Sequence, residues 1–333
     1  MSVASAGNDH RLGANEAPPA IVSIFLGDEL GAIVDALIGG DAYESAEKVS
    51  MNLGVDVLPS FLKDNTDRNR TSPFAFTGNK FEFRMPGSNV NPADCNMVLN
   101  TAIAKSLKDF ADAMEGLSGA AFEERAIAYV KQTLRDHQRI IFNGNGYSEE
   151  WEEEAARRGL ANHKTTADAL PCFVEPKSIA LFQEMGVLSE TEVRSRYEVK
   201  LEKYNKLINI EGRVMRRMVR RTYLPAIVSY AGKVAADVNA CKAAISGAET
   251  GPEEDLLSTL LDGAARIRRA LDDLDRIAHE AEAIENQQER ANYNAHTVLP
   301  VMDALRAAVD SLEVITSRDY WPVPSYNNML FYV

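Results

Sequence analysis

Apolar residues recur at three-four spacing from Ser189 almost to the end of the chain, and no other feature constrains the fold as strongly. This spacing is typical of amphipathic helices that bury one face. It predicts one long helix or two collinear helices running to about Gly247 with a kink at Pro225, and then helices at about 253–292 and 298–317. Long amphipathic helices joined by short links predict a helical bundle over residues 189–333.

The residues before this region mix strand and helix patterns. We expect a strand in the β-branched run 20–26 and allow one more at 53–58. Glycines and caps place helices from Gly27-Asp28 to Gly39-Gly40, from Asn91-Pro92 to about residue 116, and over 118–142. The predicted fold class is α+β and mainly α, with a partial sheet before the bundle. The expected divisions are 1–117, a helical connecting region 118–188, and 189–333.

Residues 64–96 contain the pattern of a β-hairpin. Pro73 forces an extended chain into residues 74–76, and Thr77-Gly78-Asn79 supplies residues that tolerate a positive φ. Charged and apolar residues then alternate from 80 to 85, as they do in a half-buried strand. Period two divides this second strand into a core-facing row and an outward row: Phe81, Phe83 and Met85 against Lys80, Glu82 and Arg84.

The outward row has two interpretations. Charges on an antiparallel strand commonly face solvent and do nothing more. The alternative is a binding site, because this carboxylate between two cations follows a turn-forming run that carries Arg68 and Arg70. One carboxylate offers a ligand for a hard cation, and several cationic side chains offer hydrogen bonds to anions. The combination suits a ligand with both phosphate and carboxylate groups.

Composition excludes several classes of protein. A net charge of −13 argues against nucleic acid or an anionic membrane as the main partner. The chain lacks a run of about 18 apolar residues and the features of a signal peptide, so we expect no membrane span. Its three cysteines are far apart in sequence, which fits thiols in a reducing compartment. We therefore expect a cytoplasmic protein with no nucleic-acid or membrane partner.

Four further features favour structural roles. The glycine-rich loop 142–147 lacks the strand and the Lys-Ser/Thr pair of a nucleotide loop, so we expect a tight turn. The five histidines have no zinc-ligand spacing. Arginines at 213–221 are expected to pair with acids at 272–282 across two helices, with a subunit contact as another option and a nucleic-acid patch disfavoured. The apolar tail 321–333 should dock on the body or on a neighbouring subunit.

Several of these segments resemble one protein family. NRTS at 69–72, KFEFRMP at 80–86 and NP at 91–92 look like the Asn-Arg-Ser, Glu-x-Arg-x-Pro and Asn-Pro signatures of the glutamine synthetase catalytic domain. The wording NRTSPFAFTGNKFEFRMPGS is similar to the long type III glutamine synthetases. Upstream, residues 8–18 resemble the family's Arg-Leu…Glu-Ala-Pro segment, and the motifs stand in the family's order.

The resemblance implies a chemistry. Glutamine synthetases use ATP to phosphorylate the γ-carboxylate of glutamate, and ammonia then displaces the phosphate. Such a reaction needs Mg²⁺ or Mn²⁺ to neutralise the triphosphate, arginines to hold the moving phosphoryl group and a carboxylate near the ammonium. The family also implies a homo-oligomer, assembled as rings, with ATP, glutamate and ammonia as partners.

The resemblance assigns roles to individual residues by motif position. Glu82 corresponds to a metal-ligating glutamate, and Arg84 to an arginine that positions substrate and developing phosphate. Arg70 corresponds to a catalytic phosphate contact, Arg11 to the arginine that binds the glutamate α-carboxylate, and Glu16 to the flap glutamate over the ammonium site. The family's second phosphate arginine has no equivalent in 73–77, and two nearby cations are candidates to replace it: Arg68 and Lys80.

The resemblance also implies that this chain is a piece of a longer protein. The metal ligands that precede these motifs in the family are not in the sequence, and Arg11 and Glu16 stand one residue closer than is usual. We therefore expect a C-terminal half with little activity alone. Two alternatives stay open: a non-catalytic oligomerisation or regulatory module, and a related carboxylate–amine ligase acting on another amino acid or a polyamine.

Overall fold

A computed structural model of the chain describes Asp9 and residues 20–40, 50–51, 61–62, 72–87, 91–324 and 326–330. The chain divides into two compact units, Met1–Tyr197 and Glu198–Val333. Helices make up most of each described part, and the strands fall in the first unit, so the predicted mainly α, α+β fold class is confirmed. The division into 1–117, 118–188 and 189–333 stays a prediction.

Two small sheets lie in the first unit. The strands are β1 (Ile24–Phe25), β2 (Ser50–Met51), β3 (Phe61–Leu62), β4 (Phe74–Phe76) and β5 (Phe81–Phe83). One sheet has the order β1-β4-β5, with β1 parallel to β4 and β4 antiparallel to β5; the other pairs β2 with β3. The predicted hairpin is confirmed, and Gly78 has a φ of 91° in its turn. The expected strand 20–26 is shorter than predicted, and 53–58 lies outside the described residues.

The predicted core-facing row of β5 is only partly buried. Met85 is 2% exposed, as expected, but Phe81 is 47% exposed. Phe81 stands next to the turn, where its ring packs against Phe74 and Phe76 with centroids 5.5 Å and 5.2 Å away. An aromatic cluster at the hairpin tip therefore replaces the burial that alternation alone predicted.

Helix α1 (Gly27–Gly39) follows β1 and ends at Gly40, whose φ is 84°. Its start differs from the prediction, since no local side chain caps it. Instead, the Asn143 Oδ1 atom accepts hydrogen bonds from the Leu26 and Gly27 amides at 2.9 Å and 3.1 Å. The glycine-rich loop thus satisfies two unpaired N–H groups of a helix far away in sequence. We call this contact the Asn143 clip.

The rest of the first unit is helical. Its helices are α2 (Ala93–Ala113), α3 (Gly119–His137), α4 (Glu149–Arg157), α5 (Thr166–Ala169) and α6 (Pro176–Glu184). The helices predicted after Asn91 and over 118–142 are thereby confirmed, with a 3-10 turn at Gln138–Ile140 ending the second pattern. One core cluster joins Phe173, Phe182 and Val193, and another places Trp151 against Ile21.

Helices α2 and α3 expose an unusual amount of apolar surface. No residue of α3 is buried among those the structure describes. Ile127 and Val130 on α3 are 55% and 43% exposed, and Leu107 on α2 is 63% exposed. The amphipathic pattern predicted these two helices, but much of their apolar face is exposed.

The second unit contains the bundle. Helix α7 (Glu190–Met218) carries the boundary between the units, and it is followed by α8 (Leu224–Ala244), α9 (Gly251–Ala283), α10 (Gln287–Tyr293), α11 (Leu299–Glu313) and α12 (Tyr326–Leu330). The prediction of a single helix over 253–292 is wrong, because the helix is interrupted between α9 and α10. There Asn286 Oδ1 accepts from the Gln288 and Glu289 amides at 2.9 Å and 3.0 Å, a side-chain cap that starts a new helix.

Two π-helical segments precede prolines in the bundle. Val219–Tyr223 leads into α8 and Pro225, and Asn294–Val298 leads into α11 and Pro300. Proline lacks an N–H and its ring collides with the carbonyl four residues earlier, so a wider turn before it relieves both defects. The disturbance predicted at Pro225 therefore takes the form of a π turn.

The bundle core follows the predicted spacing. Leu260, Ile267 and Leu274 on α9 are fully buried, and so is Leu305 on α11. Helices α9 and α11 approach closely at Gly263, where an added Cβ would lie 2.5 Å from Leu312 Cδ2. This glycine is needed for the packing of the two helices.

Part of the apolar tail docks on the bundle, as predicted. The Trp321 ring lies 5.3 Å from that of Tyr223, and the Tyr320 ring lies 5.3 Å from that of Tyr230. Residues 331–333 are outside the described part. Among the described helices, none combines the length and the apolar character that crossing a membrane would require.

Candidate active site

The β4–β5 hairpin brings together three of the residues predicted for the site. The Glu82 carboxylate lies between the other two: its Oε1 is 3.2 Å from Lys80 Nζ, and its Oε2 accepts from Arg84 Nη2 at 3.1 Å and Nε at 3.3 Å. The prediction that alternation places Lys80, Glu82 and Arg84 in one row is confirmed. The three form what we call the hairpin charge row.

Backbone pairing fixes this row in place. Glu82 pairs with Ala75, which is fully buried, so the sheet holds the Glu82 backbone against the core. The Arg84 amide donates to the Pro73 carbonyl at 2.8 Å, which extends the pairing past the end of β5. At the other end, the Thr77 amide donates to the Lys80 carbonyl at 2.8 Å and closes the turn. The charged side chains therefore project from a backbone with satisfied hydrogen bonds.

The electrostatics of the row favour an ionised carboxylate. Hydrogen bonds from Lys80 and then from Arg84 hold the pKa of Glu82 below its usual value of 4.5. The Arg84 side chain is only 16% exposed, whereas that of Lys80 is 66% exposed. Arg84 is thus a fixed cation packed on the hairpin, and Lys80 is a solvated cation able to exchange partners.

The described residues do not make a complete metal site. A hard divalent cation takes about six or more oxygen ligands. Within the described part of the chain, no group of three histidine, cysteine, aspartate or glutamate side chains is placed to hold a metal ion. Glu82 supplies a single carboxylate, and both of its oxygens contact cations. The row can bind an anion through Lys80 and Arg84, but by itself it lacks the ligands for Mg²⁺ or Mn²⁺.

Four of the predicted site residues lie outside the described residues: Arg11, Glu16, Arg68 and Arg70. Their proximity to the hairpin charge row stays a prediction. The described residues that flank them are Ser72 and Asp9, and both are held by the fold. Ser72 is 1% exposed directly before the hairpin, and Asp9 contacts a helix start.

Asp9 is a residue whose role the sequence did not reveal. Its Oδ1 accepts from the Thr166 amide at 2.8 Å and from the Thr166 hydroxyl at 2.5 Å. Thr166 is 3% exposed at the first position of α5, so the contact joins the N-terminal segment to a buried helix start. In the sequence, Asp9 stands two residues before Arg11, the predicted carboxylate-binding arginine.

A contact between Cys172 and His163 is the second arrangement that sequence spacing missed. Cys172 Sγ lies 3.4 Å from His163 Nε2. Burial, followed by the charge of Glu175, raises the pKa of the Cys172 thiol. A raised pKa keeps the sulfur protonated at neutral pH, which is the opposite of what a nucleophilic cysteine needs.

The arginines at 213–221 behave as the favoured interpretation predicted. Arg213 Nη2 lies 2.9 Å from Glu282 Oε1, and Arg216 Nη1 lies 3.1 Å from Asp275 Oδ1. Arg220 also pairs with Asp275. These contacts join α7, its π-helical continuation and α9 through opposite charges. Helix pairing inside the second unit therefore accounts for three of the five arginines in the predicted cluster.

Comparison with known proteins adds a family to this geometry. The family described as Glutamine synthetase C-terminal domain matches residues 126–242. The chain is 41% identical to a glutamine synthetase of Butyrivibrio fibrisolvens over 331 residues, 37% identical to one of Bacteroides fragilis (strain YCH46) over 339 residues, and 39% identical to a type-3 glutamine synthetase of Dictyostelium discoideum over 337 residues.

These matches cover 99% of this chain but only 46–47% of each relative. The chain therefore spans about half the length of the curated relatives it matches. The resemblance to type III glutamine synthetases that the motifs predicted is confirmed, and it extends through both units.

Proposed function

We propose that this chain, which aligns along nearly all of its length with one half of known glutamine synthetases, is the C-terminal half of a type III glutamine synthetase. The activity of the whole protein would be that of a glutamate–ammonia ligase, which consumes ATP and forms glutamine through γ-glutamyl phosphate. The single observation that carries the proposal is the similarity over 99% of the chain to three proteins of that name. The hairpin charge row supplies compatible chemistry.

In this proposal Arg84 is the main group among the described residues that stabilises the transferred phosphoryl group. Its guanidinium is fixed by Glu82 and by packing, and so it is preorganised to stabilise negative charge that develops on a transferred phosphoryl group. Lys80 adds a second, mobile cation for phosphate. Glu82 keeps Arg84 oriented and is proposed as one carboxylate ligand of Mg²⁺ or Mn²⁺. The described residues alone do not form the complete site of this metal ion.

The remaining roles rest on motif position. We propose Arg70 and Arg68 for phosphate contacts, Arg11 for the α-carboxylate of glutamate and Glu16 for closure over ammonium. The anchor from Asp9 to Thr166 supports a fixed position for the start of the Arg11 segment. The proposed partners are ATP, glutamate, ammonia and further copies of the protein.

Complementation tests the proposal. The chain alone is expected to show no γ-glutamyl transfer with Mn²⁺ or Mg²⁺. Activity should appear when it is co-expressed with the part of the Butyrivibrio fibrisolvens relative that it does not align with. Glu82→Gln should then lower kcat by about 10²-fold or more, the order expected when one charged group of a phosphoryl-transfer site is lost.

Glu154 offers a matched control for this experiment. Its carboxylate is likewise held by two cations, Arg157 and Arg158, but it belongs to helix α4 and not to the hairpin. Glu154→Gln should leave kcat within about twofold, since surface ion pairs contribute little. Equal losses from Glu82→Gln and Glu154→Gln, or full activity of the chain alone, would overturn the proposed assignment.

A second candidate function is an oligomerisation module without its own catalysis. The observation that favours it is the apolar surface of α2 and α3, where Leu107 and Ile127 are more than half exposed. Exposed apolar side chains on adjacent helices are typical of surfaces that associate. The mass of the chain in solution tests whether this surface associates, and the complementation experiment tests whether the chain contributes to catalysis.

A further inference from the structure

A small cavity in the second unit has both apolar and polar side chains in its wall. It has a volume of about 160 Å³ and lies between α7, the end of α9, and α10 with its π-helical continuation. Four amide side chains line it: Asn205, Asn209, Gln287 and Asn294. We call it the amide cavity. Amides are rare inside helical bundles because burying them is costly unless each polar atom is bonded.

Two of these amides are deeply buried and bonded to each other. Asn205 and Asn294 are each 5% exposed, and Asn294 Nδ2 donates to Asn205 Oδ1 at 3.0 Å. Both protons of the Asn205 amide are used, by the Gln287 carbonyl at 3.0 Å and by Gln287 Oε1 at 2.9 Å. Three side chains, Asn205, Gln287 and Asn294, therefore form one amide network on the cavity wall.

The network leaves one acceptor for a ligand. Among the described residues, none donates a hydrogen bond to Asn294 Oδ1, although this side chain is 95% buried and lines the cavity. Asn294 is also the first residue of the π-helical segment Asn294–Val298. Such segments occur frequently at functional sites because the widened turn redirects side chains.

Charges of both signs surround the amides. Lys206 and Glu202 form an ion pair of 2.5 Å at the exposed edge, and Glu282 and Arg216 also line the cavity. A hydrogen bond from Arg213 holds the pKa of Glu282 below its usual value, so this carboxylate is charged at neutral pH. A ligand that carries an ammonium and a carboxylate on one carbon could pair with both signs at once.

A purely structural role explains the asparagine pair but not the space beside it. A buried asparagine can fix the register of packed helices, and that function requires no cavity. The volume here is similar to that of a cavity of about 150 Å³ that holds benzene in another protein, so a molecule of roughly six to ten heavy atoms fits. Unlike that apolar cavity, this one presents hydrogen-bonding groups and charges.

We propose that the amide cavity binds a small zwitterionic amino acid whose side chain ends in a carboxamide. The carboxamide nitrogen donates to Asn294 Oδ1, the α-carboxylate pairs with Lys206, and the α-ammonium pairs with Glu202 or Glu282. This site goes beyond the proposed catalytic function and does not depend on it, because each of its residues belongs to the second unit and none belongs to the hairpin.

Calorimetric titration of the full chain tests the proposal with four probes: L-glutamine, L-asparagine, L-alanine and butyramide. One of the two carboxamide amino acids should bind with one site per chain and a Kd of about 1 mM or tighter. L-alanine lacks the amide and butyramide lacks the zwitterion, so each should bind at least about tenfold more weakly. Absence of saturable binding by both carboxamide amino acids, or equal binding of all four probes, would overturn the proposal.

Variants locate the binding. Asn205→Leu combined with Asn294→Leu replaces both buried asparagines with apolar side chains of the same branched shape, and binding should fall at least tenfold. Asn292→Leu is the matched control, since Asn292 is an exposed amide on the same stretch of chain that bonds Gln288 at 2.8 Å. Because the double variant could also perturb folding, Lys206→Gln provides an independent test at the exposed edge. Retained affinity in Lys206→Gln and in a folded double variant would refute the site.

Discussion

In the hairpin charge row, the surroundings of each side chain determine how mobile it is. Glu82 lies between Lys80, which is solvated, and Arg84, which is packed. Arg84 therefore stays in a fixed position, whereas Lys80 can exchange Glu82 for another anion. Alternation in the sequence predicted that these three residues share a face. Alternation could not predict that both oxygens of Glu82 are occupied, because that depends on how each long side chain folds back along the strand.

The pKa of Glu82 gives a direct test at this scale. The pKa should lie below 4.5 in the native chain and rise towards it in Lys80→Gln, since Lys80 is the largest cause of the shift. A lowered folded pKa means that the ion pairs stabilise the fold above the ordinary glutamate pKa, and that this contribution is lost as the pH falls through the lowered value. Carbon-detected NMR titration of the glutamate carboxyls measures the shift.

Glu154 serves as the internal reference for that titration. Hydrogen bonds from Arg158 and then Arg157 lower its pKa independently of the hairpin. Lys80→Gln should therefore leave the Glu154 titration unchanged. A Glu82 pKa that does not respond to Lys80→Gln would show that the ion pair is absent in solution.

The Asn143 clip predicts a specific loss of stability. Asn143→Ala removes the acceptor of two backbone N–H groups at the start of α1 and should cost about 1–2 kcal/mol of unfolding free energy, the range for a lost helix cap. Asn145→Ala is the matched change in the same loop, since Asn145 Oδ1 accepts from the nearby Tyr147 amide and, among the described residues, from no helix start. Urea denaturation should show the larger loss for Asn143→Ala, and equal losses would contradict the clip.

Individual residues were also the least predictable part of the molecule. Asn143 bonds the Gly27 amide 116 residues earlier, and Asp9 bonds Thr166 157 residues later. Neither residue belongs to a periodic pattern, and short-range spacing contains no information about a partner so far along the chain. Asp9 could have been suspected only from its position beside the Arg11 segment.

At the scale of elements, helix periodicity was reliable where apolar packing determines the structure. It predicted α2, α3, α8 and the buried faces of α9 and α11. It failed between α9 and α10, where Arg290 Nε donates to the Ile284 carbonyl at 2.8 Å and Asn205 bonds the Gln287 carbonyl. The local Asn286 cap and these polar contacts end one helix and start the next, although apolar spacing alone would have continued the first.

The close approach of α9 and α11 gives a prediction for an element. Gly→Ala inside a helix ordinarily adds about 0.5–1 kcal/mol of stability. Gly263→Ala should instead destabilise by about 1–3 kcal/mol, because the new Cβ would lie 2.5 Å from the buried Leu312 side chain and overpack the core.

Gly232→Ala on α8 is the paired control. An added Cβ there meets no other atom within 4 Å, so the ordinary gain in stability is expected. Thermal or chemical unfolding of the two variants compares the signs directly. A stabilising Gly263→Ala would show that α9 and α11 are further apart than described.

At the scale of the whole molecule, the apolar surface of α2 and α3 predicts association. We expect the chain to sediment with more than the mass of one chain. Replacing Ile127 and Val130 with glutamate should shift it towards a single chain, because both side chains are exposed and the charges oppose burial. Val228→Glu, at a position on α8 that is 53% exposed, is the control and should not change the mass. Sedimentation that is unaffected by both changes would remove the surface from consideration.

The matched relatives set the context for that surface. Each is about twice the length aligned here, so the complete proteins contain a second half with which these helices share a chain. Fold class, bundle and hairpin were all predictable from local patterns. The exposure of the apolar face was not, because hydrophobic spacing along one helix does not show what packs against it.

The Asn143 clip has a consequence for folding during synthesis on the ribosome. Residues 27–39 leave the exit tunnel well before their cap has been synthesised, since Asn143 follows Gly27 by 116 residues. At translation speeds of about 5–20 residues per second, the first turn of this helix waits roughly 6–23 s for its acceptor. During that interval the Leu26 and Gly27 amides of the nascent chain would lack this acceptor and be accessible to chaperones. Translation pauses would lengthen the interval.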